Sequence, residues 1–346
     1  QTGFGRTGTV NWDTTIKTAD FTATSGSGFF VNTGGGSNIT VTLPASPSAG
    51  DIVSVADYGG TAATNNIIIA RNGSNIEGVT SNAAIISNRD ALTLIFADST
   101  QGWIPVNDNV GSSIAPEFVA ATGGNATITC GNFKTHIFTG PGTFCVSNAG
   151  NAAGTSTVDY FVVAGGGGTN TGGGGAGGFR VSNSVGCVAA CIMSPLSNPA
   201  GLPVSVQGYP VVVGGGGATA HPADSSPGSV SSFSSISSAG GGFGQSNDQP
   251  DSGGPGGSGG GGGRTSTTNP GGGTGNTPPV SPPQGNNGAG TGASANYNGG
   301  SGGGAGGAAT PSNGATTSVA GAGSFIADAF IGPTAPSYGE PGPVSN

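Results

Sequence analysis

Between Val162 and Gly307 the chain keeps returning to runs of glycine: AGGGGTNTGGGGAGG, VVVGGGG, AGGGFG, GGPGGSGGGGG, PGGGTG and NGGSGGGAGG. Of its 74 glycines, 52 lie after residue 160. Glycine loses more backbone freedom on folding than any other residue and buries almost no side-chain surface. A fold built on such runs must therefore rest on backbone hydrogen bonds and close backbone approach, and most functions that suit it are structural. Collagen is excluded, because it needs glycine at every third position without a break. Here VSNSVGCVAACIMSPL and SSFSSISS interrupt runs that are themselves irregular. Glycine and proline together reach about 28% of the chain, a level typical of disorder. Solvated disordered chains carry many charges, however, and only 6% of these residues are charged. What remains is polyglycine II, an extended left-handed helix with about 3 residues per turn and no internal hydrogen bonds. Each such helix must pair sideways, since buried amides and carbonyls need partners.

The rest of the chain reads as all-β. Residues 1–19 form an extended lead-in. From 20 to 112, FTATSGSGFFVNT, NITVTLPASPSAGDIVSVADY, NIIIARNGSNIEGV and ALTLIFADSTQGWIPV alternate β-branched or aromatic residues with polar ones. Turn signals at Pro47–Gly50, Asn72-Gly73 and Gln101-Gly102 separate them, which predicts a small sandwich or barrel with Trp12 and Trp103 as core anchors. A second β module is expected over 113–165, with strands ATITC, KTHIFTG, GTFCVS and VDYFVVAG. Residues 166–346 form the glycine-rich, polyglycine II-type domain. VDYFVVAG and YPVVV both run straight into glycine, so strands and glycine helices are expected to share one block. Prolines in NTPPVSPPQG and IGPTAPSYGEPGP fix extended segments and preclude helix.

A net charge of −8 and seven scattered Lys and Arg residues leave no phosphate-tracking patch, which argues against nucleic acid. No apolar stretch approaches the ~20 residues of a membrane span, and no signal peptide is read at the head of the chain. The chain opens at Gln1 rather than Met, as expected of a processed or partial product. Cys130 and Cys145 flank an expected hairpin, while Cys187 and Cys191 sit four apart in GCVAACIM. A disulfide within each pair is the leading expectation. Free buried thiols are the main alternative, and zinc is the weakest reading because CxxxC fits its spacing poorly.

GFFVNTGGGSNITVTLPASPSAGDIVSVADYGGTAATNNIIIARNGSNIEG, followed by LIFADSTQGWI, resembles a β module of tail-fibre and other appendage proteins of tailed, notably marine, bacteriophages. HIFTGPGTFCV, VDYFVVAGGGG and GGGGAGGFR resemble the glycine-rich module that often follows it. The resemblance spans about residues 10–310. It implies a homotrimeric fibre on the virion that contacts other virion proteins and a host surface glycan or protein. Some adhesins of this kind carry a polyglycine II bundle whose tip loops read the receptor. The four cysteines and the CVAACIMSPL insert depart from that pattern.

Catalytic motifs are weak, and no cofactor is expected. Residues 3–8 match GxGxxG but neither follow a strand nor open a helix. His136 falls on an expected strand. His221 lies near Asp224 and several serines, without a nucleophile-elbow context. Asp51, Asp57, Glu77, Asp90 and Asp98 could act as a glycosidase pair, but their place among turns favours solvated turn residues. Binding is easier to motivate, since aromatics grip glycans while Asn and Ser direct hydrogen bonds. Tyr297, flanked by Asn296 and Asn298 between glycine runs, is the leading candidate for a receptor contact. His221 and Phe243 follow. The expected function is a non-enzymatic tail fibre that mediates host attachment. The alternatives are a collar, capsid-fibre or decoration protein, a secreted glycine-rich adhesin or ice-binding protein, and a polysaccharide depolymerase.

Overall fold

The computed structural model describes residues 10–106, 115–184, 194–220, 222–223, 225–247, 251–264, 269–291, 299–312 and 317–326. They contain β-strands and extended segments, with no α-helix among the described residues. Two compact units emerge: Gln1–Phe118 with Gly150–Thr155, and Val119–Ala149 with Ser156–Asn346.

The first unit carries β1 (Asn11–Lys17), β2 (Phe21–Thr22), β3 (Ser27–Val31), β4 (Ile39–Thr42), β5 (Ile52–Asp57), β6 (Ile67–Ala70), β7 (Ala83–Ile85), β8 (Ala91–Asp98) and β9 (Gly102–Pro105). Consecutive strands from β1 to β6 alternate between two sheets. One sheet therefore stacks β1, β3 and β5 in parallel, and the other stacks β2, β4 and β6 in parallel. Antiparallel β8 and β9 complete the first sheet and β7 the second. Period-two alternation turns Ile39 and Val41, Ile67 and Ile69, and Leu92, Leu94 and Phe96 into one core shared by both sheets. The sandwich expected from the sequence is present, but neither sheet closes into a barrel. The outer edge of β9 is occupied instead by the 75–77 segment, where Trp103 N–H donates to Asn75 O and Glu77 N–H to Trp103 O.

Trp103 is 0% exposed and meets Phe96 edge-on at 5.5 Å, as a core anchor should. Trp12 is not a core anchor: it is 40% exposed and stacks on Phe30 at 4.7 Å. The register explains this, since β1 is an edge strand that sets Trp12 opposite Gly28, and the missing side chain lets the indole lie flat there. The expected turns appear. Asn72 and Gly73 both take positive φ, 47° and 95°, and Ser74 N–H closes the turn on Arg71 O, the pairing that favours Asn-Gly.

On the same edge strand, Lys17 Nζ donates to Asp13 Oδ2 at 2.8 Å and lies 5.6 Å from the Phe21 ring. That hydrogen bond, helped by one from Thr15 N–H, lowers the half-buried Asp13 carboxyl to about 2. A carboxyl depressed in the fold adds stability above its unfolded value and loses it as pH falls through the folded value. The Asp13 carboxyl is accordingly expected to titrate by NMR near pH 2. Lys17→Met should return its midpoint toward the ordinary carboxylate range.

The second unit carries β10 (Val119–Thr122), β11 (Ala126–Cys130), β12 (Phe133–Ile137), β13 (Gly142–Ala149), β14 (Thr157–Val158), β15 (Phe161–Val163), β16 (Phe179–Ser182), β17 (Ser197–Asn198), β18 (Leu202–Pro203), β19 (Gly208–Val212), β20 (Ser231–Phe233) and β21 (Ile236–Ser238). An antiparallel sheet in the order β10-β13-β19-β20-β21 packs Phe144, Val146, Val204 and Tyr209 into a small core. The hairpin β11-β12 holds His136, which bonds Gly123 O through Nδ1 at 2.7 Å and meets Phe144 edge-on. β15 and β19 each lead directly into glycine, as the sequence indicates.

Beyond these strands the chain runs largely as short extended segments: 164–169, 172–178, 214–220, 225–230, 239–246, 253–263 (which folds back at 256–258, so that Gly260 N–H donates to Gly254 O), 270–275, 284–291, 299–307 and 318–324. They are joined laterally by backbone bonds whose partners change in steps of three residues. In 172–178, the N–H groups of Gly172, Gly175 and Gly178 donate to the carbonyls of Gln245, Gly242 and Ala239. Those of Gly173 and Ala176 donate to Gly300 and Gly303. Neighbouring segments run both ways, because 239–246 pairs antiparallel to 172–178 while 299–307 pairs parallel to it. Contacts are close in the interior of the block: a Cβ on Gly241, Gly244 or Gly261 would overlap a neighbouring carbonyl oxygen.

Candidate functional site

The lateral register decides where the connections between glycine segments emerge. Gly172 donates to Gln245, Gln245 to Gly261, and Gly262 to Ala289, while Gly300 donates to Gly262. The start of 172–178, the ends of 239–246, 253–263 and 284–291, and the start of 299–307 therefore lie together. Gly168 donates to Ser226, Gly244 to Gly168, and Gly217 to Gly166, which brings the end of 214–220 and the start of 225–230 to the same place. Ser318 Oγ donates to Gly299 O and adds the start of 318–324. One end of the glycine-rich block thus gathers the described residues that bracket 221, 224, 248–250, 265–268, 292–298 and 313–316.

Polar side chains bind this end together. Asn170 Nδ2 donates to the carbonyls of Ala220 and Ala223. Ser225 Oγ donates to Thr169 O at 2.7 Å, Thr171 Oγ1 to Gln245 O at 3.0 Å, and Ser246 Oγ to Pro222 O at 2.6 Å. Beside Gly263 lies Gln245, fully buried, with neither Oε1 nor Nε2 partnered. Arg264 stands exposed at the same end. These residues were missed as candidates in the sequence. Their only signal is position: Asn170, Thr171, Gln245, Ser246 and Arg264 are polar residues within two positions of a glycine run, as in GGTNT and GQSN, whereas Ser225 carries no such signal.

Of the sequence candidates, Tyr297, Asn296, Asn298 and His221 lie outside the described residues, although the residues on either side of each belong to this end. Phe243 is described and half-buried. Its ring lies against Gly254 and its carbonyl accepts from Gly254 N–H, two residues inboard of Gln245. Cys187 and Cys191 are also outside the described residues. Cys130 ends β11 opposite Phe133, whereas Cys145 lies on β13 between Thr122 and Gly208. Cys145 is exposed and carries a free thiol. The turn carboxylates serve the turns: Asp57 accepts from the N–H groups of Gly60, Ala62 and Arg89, and Asp98 from those of Thr100 and Gln101. No group of three His, Cys, Asp or Glu side chains suited to a metal occurs among the described residues. No described helix is long and apolar enough to cross a membrane.

This geometry is that of a backbone-bonded glycine block with the residues flanking five of its connections gathered at one end, and the family comparison agrees. The model of the glycine-rich domain family matches residues 138–343, and the chain belongs to that family. No curated protein matches the chain.

Proposed function

We propose that the chain is a structural virion appendage protein, a tail fibre, whose glycine-rich block presents its loop end to the host cell surface without catalysis. The gathering at one end of the described residues that flank five connections between glycine segments carries this reading. A scaffold of backbone leaves side-chain chemistry only at its edges, and the candidate residues Tyr297, Asn296, Asn298 and His221 belong to connections that start and finish there. The three-residue stepping of hydrogen-bond partners, in both chain directions, supports polyglycine II packing, since a threefold helix aims successive amides about 120° apart. A flat β-sheet offers each strand only two neighbours, whereas 172–178 bonds to four segments: 164–169, 239–246, 253–263 and 299–307. A homotrimer bound to other virion proteins completes the proposal, with a surface glycan or protein as the receptor.

Antibody against residues 280–310 is expected to decorate an appendage of the particle and to slow adsorption at least roughly tenfold, the scale on which losing a few central contacts weakens binding. Decorated particles that adsorb at the normal rate would remove the attachment role and leave a collar or decoration protein. Release of reducing ends from host polysaccharide by the purified chain would overturn the non-enzymatic reading.

A further inference from the structure

A groove of about 630 Å³ runs along the segment 172–178 and is lined in part by Gly174 and Gly177. Among the described residues neither glycine donates or accepts a hydrogen bond, although Gly177 is buried. Buried backbone groups are nearly always paired. Unpaired backbone alone does not choose an occupant, but the far wall of the groove does. That wall is the segment 318–324, which contributes Ala320, Gly323 and Ser324. Ile326, where the described residues end, packs against Phe179, itself a lining residue. The chain therefore continues from the rim of the groove into residues 327–346, which lie outside the described residues. A short tether of this kind keeps a segment at an effective concentration on the order of millimolar, which favours the same chain over a second copy.

The composition of that stretch suits the groove. IGPTAPSYGEPGP carries prolines at 333, 336, 341 and 343. Their fixed φ favours polyproline II, a left-handed helix of about 3 residues per turn without internal hydrogen bonds. Its threefold repeat matches the three-residue stepping of partners along 172–178. Gly339 and Gly342 are the one pair of glycines three apart within 327–346. On a threefold helix they form a ridge without Cβ atoms, and both keep their N–H groups. The described groove walls carry no charged side chain, and neither do residues 329–339. Glu340 falls on another ridge. We infer that the groove seats residues 333–343 of the same chain as one more extended segment, with the Gly339–Gly342 ridge bonded to Gly174 and Gly177. The six residues 327–332 reach about 20 Å when extended, enough to turn the chain back onto 172–178.

Amide hydrogen exchange tests this on the full chain, on a chain ending at Ile326, and on full-length Gly339→Val/Gly342→Val. In the full chain the Gly174 and Gly177 amides should be protected equally at every concentration. In the other two they should exchange at least roughly tenfold faster, the scale of one net hydrogen bond. A peptide of residues 327–346 should restore protection to the shortened chain. Thr334→Val/Ser337→Val alters a different ridge and should leave the protection of the full chain intact. Protection that survives the double valine substitution at 339 and 342 overturns the inference, whether or not the shortened chain folds. Protection that appears only as concentration rises also overturns it, because a second copy then fills the groove.

Discussion

Gly242→Ala is expected to destabilise the glycine-rich unit by about 4 kcal/mol, seen as a melting transition roughly 10 °C lower. Gly242 is buried; its N–H donates to Ser258 O and its carbonyl accepts from Gly175 N–H. A Cβ there would overlap the carbonyl oxygen of Gly254, which is itself fixed in the lattice. Neither atom can retreat without breaking the bonds of two segments, so overpacking and lost hydrogen bonding add together. Gly215→Ala provides the contrast: it adds the same methyl group where nothing lies within 4 Å, and stability should change by less than about 0.5 kcal/mol. Equal melting temperatures for the two variants would show that close backbone approach does not hold the block together.

Trp103→Ala is expected to cost the first unit about 4 kcal/mol by chemical denaturation, in the range for emptying a large aromatic site. Trp103 is the largest fully buried side chain, packed among residues from both sheets, and it holds the 75–77 segment through its backbone N–H and C=O alone. Its indole Nε1 has no partner. Trp103→Phe removes that orphan donor along with part of the ring and should cost less than half as much. Trp12→Ala should cost only about 1 kcal/mol, the scale of a partly exposed stacking pair. Comparable losses at Trp12 and Trp103 would contradict the assignment of inner and outer faces.

These two tryptophans also show how far the sequence is legible. Alternation in ALTLIFAD and NIIIA marks inward faces, because a half-buried strand must repeat every two residues. Asn72-Gly73 marks its turn, because only a few residues tolerate left-handed backbone. Neither signal says which strands are neighbours. The parallel stacking of β1, β3 and β5 pairs residues sixteen and twenty-six apart, as in Asn11 with Ser27 and Ser27 with Val53, without a fixed spacing that a reader could detect. Trp12 looked like core because it is large and apolar, and only its register opposite Gly28 moves it outside. In the second unit, the glycine runs announce close packing but carry no side chains to label their partners. Gly172 meets Gln245 and Gly173 meets Gly300 through backbone groups common to every residue. The sequence singles out Tyr297 and its neighbours between glycine runs, while Asn170 and Gln245 became visible only once the segments were placed side by side.

The backbone interior of the glycine block has a thermal consequence as well. Exposing apolar surface raises the heat capacity of unfolding, and exposing polar amide surface lowers it. A unit that buries mainly peptide groups should therefore have a heat-capacity increment well below the usual ~12–15 cal/mol/K per residue. Its free energy of unfolding then changes almost linearly with temperature, with little of the curvature that weakens ordinary hydrophobic cores in the cold. A protein held together in this way keeps its strength in cold water.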